Sequence, residues 1–173
     1  MRSTFTYREP IKVLADILAY ELILANGQVM LKDQKFNIPS NPGLFISLEY
    51  LGPSKVISST NRTDMFVTPP MERQAVTTLW TVQVDTMSFN EEARTRLPEI
   101  SAAINSVYSQ QLQERYQLSI AKNPSPFSDA SSLEATANLK RYTALVLITA
   151  LYRKDKVVGY YDTFRTAEVI TNV

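Results

Sequence analysis

The sequence predicts a single α+β domain: a mostly antiparallel mixed sheet with two helices packed on one face. Three observations lead to it. Apolar residues recur at helical spacing in two stretches, 10–25 and about 90–116. Residues 44–51, 73–87 and 139–153 read instead as strands, by alternation or by unbroken apolar and β-branched runs. The order helix, strands, helix, strands then gives an antiparallel sheet with its helices segregated to one side. At 173 residues the chain fits one domain, 1–173.

The first helix carries Ile11, Leu14, Leu18 and Leu22 on one stripe, with Lys12, Asp16 and Tyr20 on other faces. Pro10 suits its first turn, and Asn26-Gly27 supply a stop after residue 25. Val29-Met30-Leu31 reads as a short strand, and Pro39, Asn41, Pro42 and Gly43 as a loop. Residues 44–51 form a strand that Gly52-Pro53 break; 55–62 resume with Val56-Ile57 and several hydroxyls. In 73–87, Val76, Thr78, Trp80, Val82 and Val84 share one face, opposite Thr77, Thr81, Gln83 and Asp85, so the Trp80 face points inward.

Ser88 and Glu91 have the spacing of a capping box, with Asn90 as a rival cap. Leu97, Ile100, Ile104 and Val107 mark the stripe of the helix that follows, to about Tyr116, and Pro98 kinks it or begins its main part. Residues 118–121 read as a short strand and 123–132 as a loop. The run 139–153 is apolar on both faces, Tyr142, Ala144, Val146, Ile148 and Ala150 against Leu145, Leu147 and Leu151, the pattern of a central strand covered on both sides. Lys154-Asp155-Lys156 turn the chain, 157–164 return as a partner strand, and 165–173 extend as a tail.

Composition bounds the chemistry. With 45% hydrophobic and 20% charged residues the chain can build a core without staples. It contains no Cys and no His, which removes disulfides, thiolate metal sites and the imidazole general base. Carboxylate, Lys or Ser-Lys chemistry stays open, but the expectation is a protein that is not an enzyme and takes no cofactor and no metal. The net charge is +1, with eight basic and eight acidic residues in 1–86 and ten and nine in 87–173, so no basic excess marks a phosphate-binding surface. Lys12, Asp16 and Glu21 interrupt the N-terminal apolar stretch, unlike a secretory signal, and the run Tyr142 to Tyr152 is shorter than the ~20 residues of a membrane-spanning helix. The sequence therefore reads as soluble and intracellular, with no membrane partner.

Several motifs have bland explanations. Ser119 and Lys122 match a Ser-x-x-Lys nucleophile and base, but that chemistry needs a helix and this segment runs toward Pro124. Asn61-Arg62-Thr63 fits a glycosylation acceptor by coincidence. Glu91-Glu92 sit in a helix first turn, where negative charge suits the dipole. The four glycines form no phosphate-cradling loop, and Lys140-Arg141 and Arg153-Lys154 lie at opposite ends of one strand.

The loop 63–71 differs. Met65, Phe66 and Val67 are three apolar residues in a Thr/Pro-rich segment. They either fold back on their own sheet or anchor in a neighbouring subunit, and the second reading makes them candidate interface residues. The aromatic cluster Tyr160, Tyr161 and Phe164, on an expected edge strand, joins them.

The layout as a whole resembles the tail-terminator or neck proteins of tailed bacteriophages. The matching pieces are IKVLADILAYELILANG, LFISLEYLG, TTLWTVQVDTMS, NEEARTRLPEISAAINSVYSQQL and NLKRYTALVLITALYRKDKVVGYYDTF, a likeness of element order over residues 10–165. The resemblance implies a structural virion protein that joins tail to head, assembled in the host cytoplasm and located in the tail or neck. It implies a ring-forming homo-oligomer, a homohexamer, stacked between the tail tube, with its sheath, and a neck, head-completion or connector protein. DNA would pass non-specifically through the ring channel, and the long hairpin, with residues 63–71 near its tip, would reach toward adjoining rings or subunits. It brings no catalytic residues. The alternatives are another head–tail connector or tube subunit, and a small enzyme using carboxylates or Lys, for which Asp85, Glu91 and Lys122 are the residues to test.

Overall fold

The computed structural model describes residues 8–32, 43–64, 66, 69–134 and 137–158. In chain order its elements are α1 (Pro10–Glu21), β1 (Val29–Leu31), β2 (Phe45–Tyr50), β3 (Lys55–Asp64), β4 (Met71–Ser88), α2 (Glu92–Thr95), α3 (Leu97–Ile104), α4 (Val107–Tyr116), β5 (Leu118–Ile120), β6 (Ser128–Asp129), β7 (Ser132–Glu134) and β8 (Ala137–Val157). The fold is α+β, a mixed sheet with its helices on one side.

The two long strands organise it. β4 and β8 pair antiparallel along the whole of β4, from Met71↔Val157 to Ser88↔Lys140. On the far edge of β4, β2 pairs with residues 82–87 and β3 with 71–79, one strand following the other along the same edge. Gly52, at φ 78°, supplies the left-handed turn between them, and Leu51 N–H still donates to Thr81 O at 2.9 Å. β1 adds parallel to β2, while β5, β6 and β7 line the outer edge of β8.

Alternation sets the core. Val82 and Val84 of β4, Ala144, Val146 and Ile148 of β8 and Ile46 and Leu48 of β2 point to one face, where Leu14, Ile17 and Leu18 of α1 and Ile100 and Ile104 of α3 cover them. At the margin of this core, the rings of Tyr50 and Trp80 lie 4.7 Å apart, and Trp80 Nε1–H donates to Thr78 Oγ1 at 3.0 Å. The inward Trp80 face expected from the sequence is therefore present.

Beyond Trp80 the sheet leaves the helices behind. β3, residues 71–79 of β4 and 149–157 of β8 form a three-stranded arm, about 30 Å long at ~3.3 Å per residue. Every residue of β3 is exposed. A bulge between Val56 and Ser58 leaves Ile57 outside the ladder.

Four expectations are corrected. β8 runs unbroken to Val157, so Lys154, Asp155 and Lys156 are strand residues and not a turn; each faces a partner on β4, and Arg73 binds Asp155 at 3.0 Å. The second helix is three, α2, α3 and α4, with Pro98 in the first turn of α3. The second break has a cap: Ser106 accepts from Ser109 N–H at 3.0 Å, a bond that competes with a continuous helix. At the start of α2, Glu91 makes no capping box. Ser88 Oγ accepts from Ala93 N–H at 2.9 Å and Asn90 Oδ1 from Glu92 N–H at 2.8 Å.

The fourth correction concerns the end of α1, at Glu21 instead of residue 25. Ile23 N–H bonds Tyr20 O and Leu24 N–H bonds Ala19 O, which is the Schellman pattern. Its left-handed position, where glycine is usual, is held by Ile23 at φ 54°. A β-branched residue is strained there, and Ile23 is 91% exposed, so burial returns nothing. Ile23→Gly is expected to stabilise the folded chain by about 1 kcal/mol, read as a raised midpoint in urea.

The N-terminus of α1 has no side-chain cap from its own turn. Tyr50 Oη accepts from Ile11 N–H at 3.0 Å instead. Burial pushes the Tyr50 phenol up to about 12 from its ordinary 10.0, against the lowering effect of that bond. Below pH 10 the phenol is protonated in both states and its contribution is intact. Between pH 10 and 12 the unfolded chain ionises first, so stability falls as pH rises. Tyr50→Phe should cost about 1 kcal/mol at pH 7 and shrink this alkaline loss, both measurable by denaturation at pH 7 and 11.

Candidate functional site

The face of the sheet turned away from the helices carries the distinctive surface. Antiparallel register places Ser47, Asp85 and Thr143 in one row, Glu49, Gln83 and Leu145 in the next, and Lys55, Leu79 and Thr149 further toward the arm. Thr81 faces Leu147 and Thr77 faces Leu151 on the same side. Among the described residues no helix covers this face. Leu145 is 36% and Leu147 44% exposed, with Leu51 also exposed beside Thr81. This overturns the expectation of a β8 covered on both sides: the strand is central in the ladder, but only its even-numbered face is buried.

At its helix-proximal end the bare face closes. Phe89, just past β4, lies 6.1 Å from the buried ring of Phe45. Next to them Asp85, 3% exposed, accepts from Arg141 Nη2 and Thr143 Oγ1 at 2.7 Å each and from Gln83 Nε2 at 3.0 Å. This carboxylate has its acceptor sites filled by neighbours on its own sheet, which is a structural role.

The arm's opposite surface is polar and internally bonded. Glu72 accepts from Gln74 at 3.0 Å and from Asn61 at 2.6 Å, and these bonds hold its carboxyl below the ordinary range. On the bare side of the arm, the bond to Asp155 raises Arg73.

Of the sequence-predicted interface residues, the structure describes Phe66, fully exposed between β3 and β4 at the arm's tip, with its N–H on Asp64 Oδ1 at 3.1 Å. Met65, Val67, Tyr160, Tyr161 and Phe164 lie outside the described residues, so they are not placed beside it.

The catalytic candidates do not converge. Ser119 is on β5, opposite Thr149, and Lys122 follows the strand with its carbonyl bonded by Asn105 Nδ2 at 2.8 Å, so no helical turn joins them. Glu92 accepts from Leu44 N–H at 3.1 Å, and Glu91 lies 3.8 Å from Lys140. Among the described residues no three Asp or Glu side chains gather as metal ligands. No helix there is long and apolar enough to cross a membrane.

A second apolar surface lies on the helix layer. Tyr20, Ile23 and Val107 are exposed, and the ring of Tyr20 stacks on Tyr108 of α4 at 4.1 Å. Ala19, Tyr20, Glu21, Ile23 and Leu24 line a shallow depression there. Sequence reading missed both surfaces. The signal for the first was present: Leu145 and Leu147 align with Gln83 and Thr81, the polar face of β4, and strand pairing puts aligned residues on one side. For the second, only the absence of glycine at position 23 hinted at it.

A scan against protein-family models and a search of the curated proteins return no match for this chain.

Proposed function

We propose that the chain is a structural virion subunit of the tail-terminator or neck type. It acts as a homo-oligomeric ring, a hexamer, between the tail tube and the head-neck connector, with DNA passing through the channel. The observation that carries the reading is the uncovered sheet face, where Leu145 and Leu147 stay exposed on β8 while its opposite face buries Ala144, Val146 and Ile148. Surfaces of this kind mark protein partners. The projecting arm, with Phe66 exposed at its tip, supplies a second contact that reaches beyond the subunit's own body.

The element order that resembles the phage family supports the partner class, and a chain without His or Cys fits assembly work better than catalysis. Mass photometry of the purified chain, alone and with tail tube protein, tests it. Rings are expected. A strict monomer in both samples, at high concentration, would sink the reading.

A further inference from the structure

From the two unlike apolar patches we infer that subunits join head to tail: the helical patch around Tyr20, Ile23 and Val107 of one copy seats on the bare sheet face at Leu145 and Leu147 of the next. The inference rests on the ring reading above and names the surfaces that make it.

Four observations support a second copy as the occupant. The patches lie on different layers of the domain, one on the helices and one on the sheet face turned away from them. A two-fold pairing of like with like would bury one and leave the other bare in each subunit. A heterologous junction buries both and leaves every subunit equivalent, the geometry that closes into rings.

Charge agrees as well. Glu21 lines the helical depression and Lys55 shares the bare face with Leu79, and neither has an ion pair among the described residues. The shapes are complementary in kind: a shallow depression beside the stacked Tyr20–Tyr108 pair meets leucines standing out from a sheet. Lastly, Ile23 holds a strained left-handed backbone while 91% exposed. Strain kept at a side chain this exposed among the described residues is accounted for if that side chain packs on another copy.

The test uses two variants of the whole chain, Tyr20→Lys and Leu147→Lys. Each alters an exposed residue of one patch, and the circular dichroism of each should match the wild type, as should its melting at a concentration where the wild type is monomeric. Each alone is expected to run as a monomer where the wild type forms rings, with at least ~100-fold weaker self-association. Mixed one to one, they should give a heterodimer and nothing larger, because one native junction remains and the two lysine-bearing ends cannot join. Ile23→Gly, which relieves the strain, should weaken association about tenfold while melting higher.

Rings from either lysine variant alone would overturn the inference but leave the ring reading standing. Loss of rings in Leu147→Lys with their retention in Tyr20→Lys would show that the sheet face seats something other than the helical patch. Failure of the mixture to form heterodimers would also overturn it. A wild type that stays monomeric, alone and beside tube protein, would remove the ring reading itself.

Discussion

Replacing Asp85 with alanine is expected to lower the unfolding free energy by about 3 kcal/mol. The carboxylate is almost fully buried and binds Arg141, Thr143 and Gln83, at 2.7 Å for the first two. Alanine leaves three donors facing an empty site. One of them belongs to a guanidinium whose Nε is already buried without an acceptor among the described residues. The Arg141 side chain is 35% exposed, so water recovers part of the loss and holds the effect below the largest seen for fully buried pairs. Urea denaturation measures it, and a double-mutant cycle with Arg141→Ala should return a coupling of about 1–3 kcal/mol. A loss below about 1 kcal/mol would mean that the cluster is solvated and adds little to the fold.

Ile148→Ala should cost about 2–5 kcal/mol, whereas Leu147→Ala next to it should cost less than about 1 kcal/mol. Ile148 is fully buried against the helix layer and pairs with Trp80 in the ladder. Its truncation leaves a cavity where backbone hydrogen bonds on both sides limit collapse. Leu147 points the other way and is 44% exposed, so its methyl groups lose little contact within the monomer. Thermal melts should differ clearly, since 1 kcal/mol moves the midpoint of a domain this size by about 2–4 °C. Equal losses would mean that something in the same chain covers both faces. The measurement belongs at a concentration where the wild type is monomeric, because association would stabilise the leucine face as well.

The layered α+β plan was legible because each strand's pattern states which face is wet, and β4 does so plainly: Val82 and Val84 alternate with Thr81, Gln83 and Asp85. β8 was misread because leucine occupies its wet face. Composition alone cannot tell a leucine on a wet face from one in the core; only register against β4 separates them. The turn expected at Lys154-Asp155-Lys156 failed for a related reason. Charged residues commonly mark a chain reversal, but on a solvated ribbon they are ordinary strand residues with cross-strand partners, as Arg73 and Asp155 are. The helix boundaries were lost to local bonds, Ser106 on Ser109 and the Ile23 turn, which compete with periodicity over single residues. Phe66 read either as folding back on its own sheet or as an anchor in a neighbouring subunit, and it is exposed at the arm's tip. The helical patch had no such flag, because Tyr20 and Val107 read as parts of ordinary amphipathic helices.

The β4–β8 ladder has a consequence for how such a subunit is made. Its pairs join residues 52 to 86 positions apart, so the half of the sheet built on β8 waits for a long loop to close. A chain still emerging from the ribosome can pair β4 with β2 and β3, but the other edge of β4 has nothing to zip against it. Neither the rows that carry Leu145 and Leu147 nor the three-stranded arm can exist until β8 has been translated. The chain therefore carries its own timing device: a nascent copy lacks the leucine-bearing face, and only a chain with β8 translated displays it.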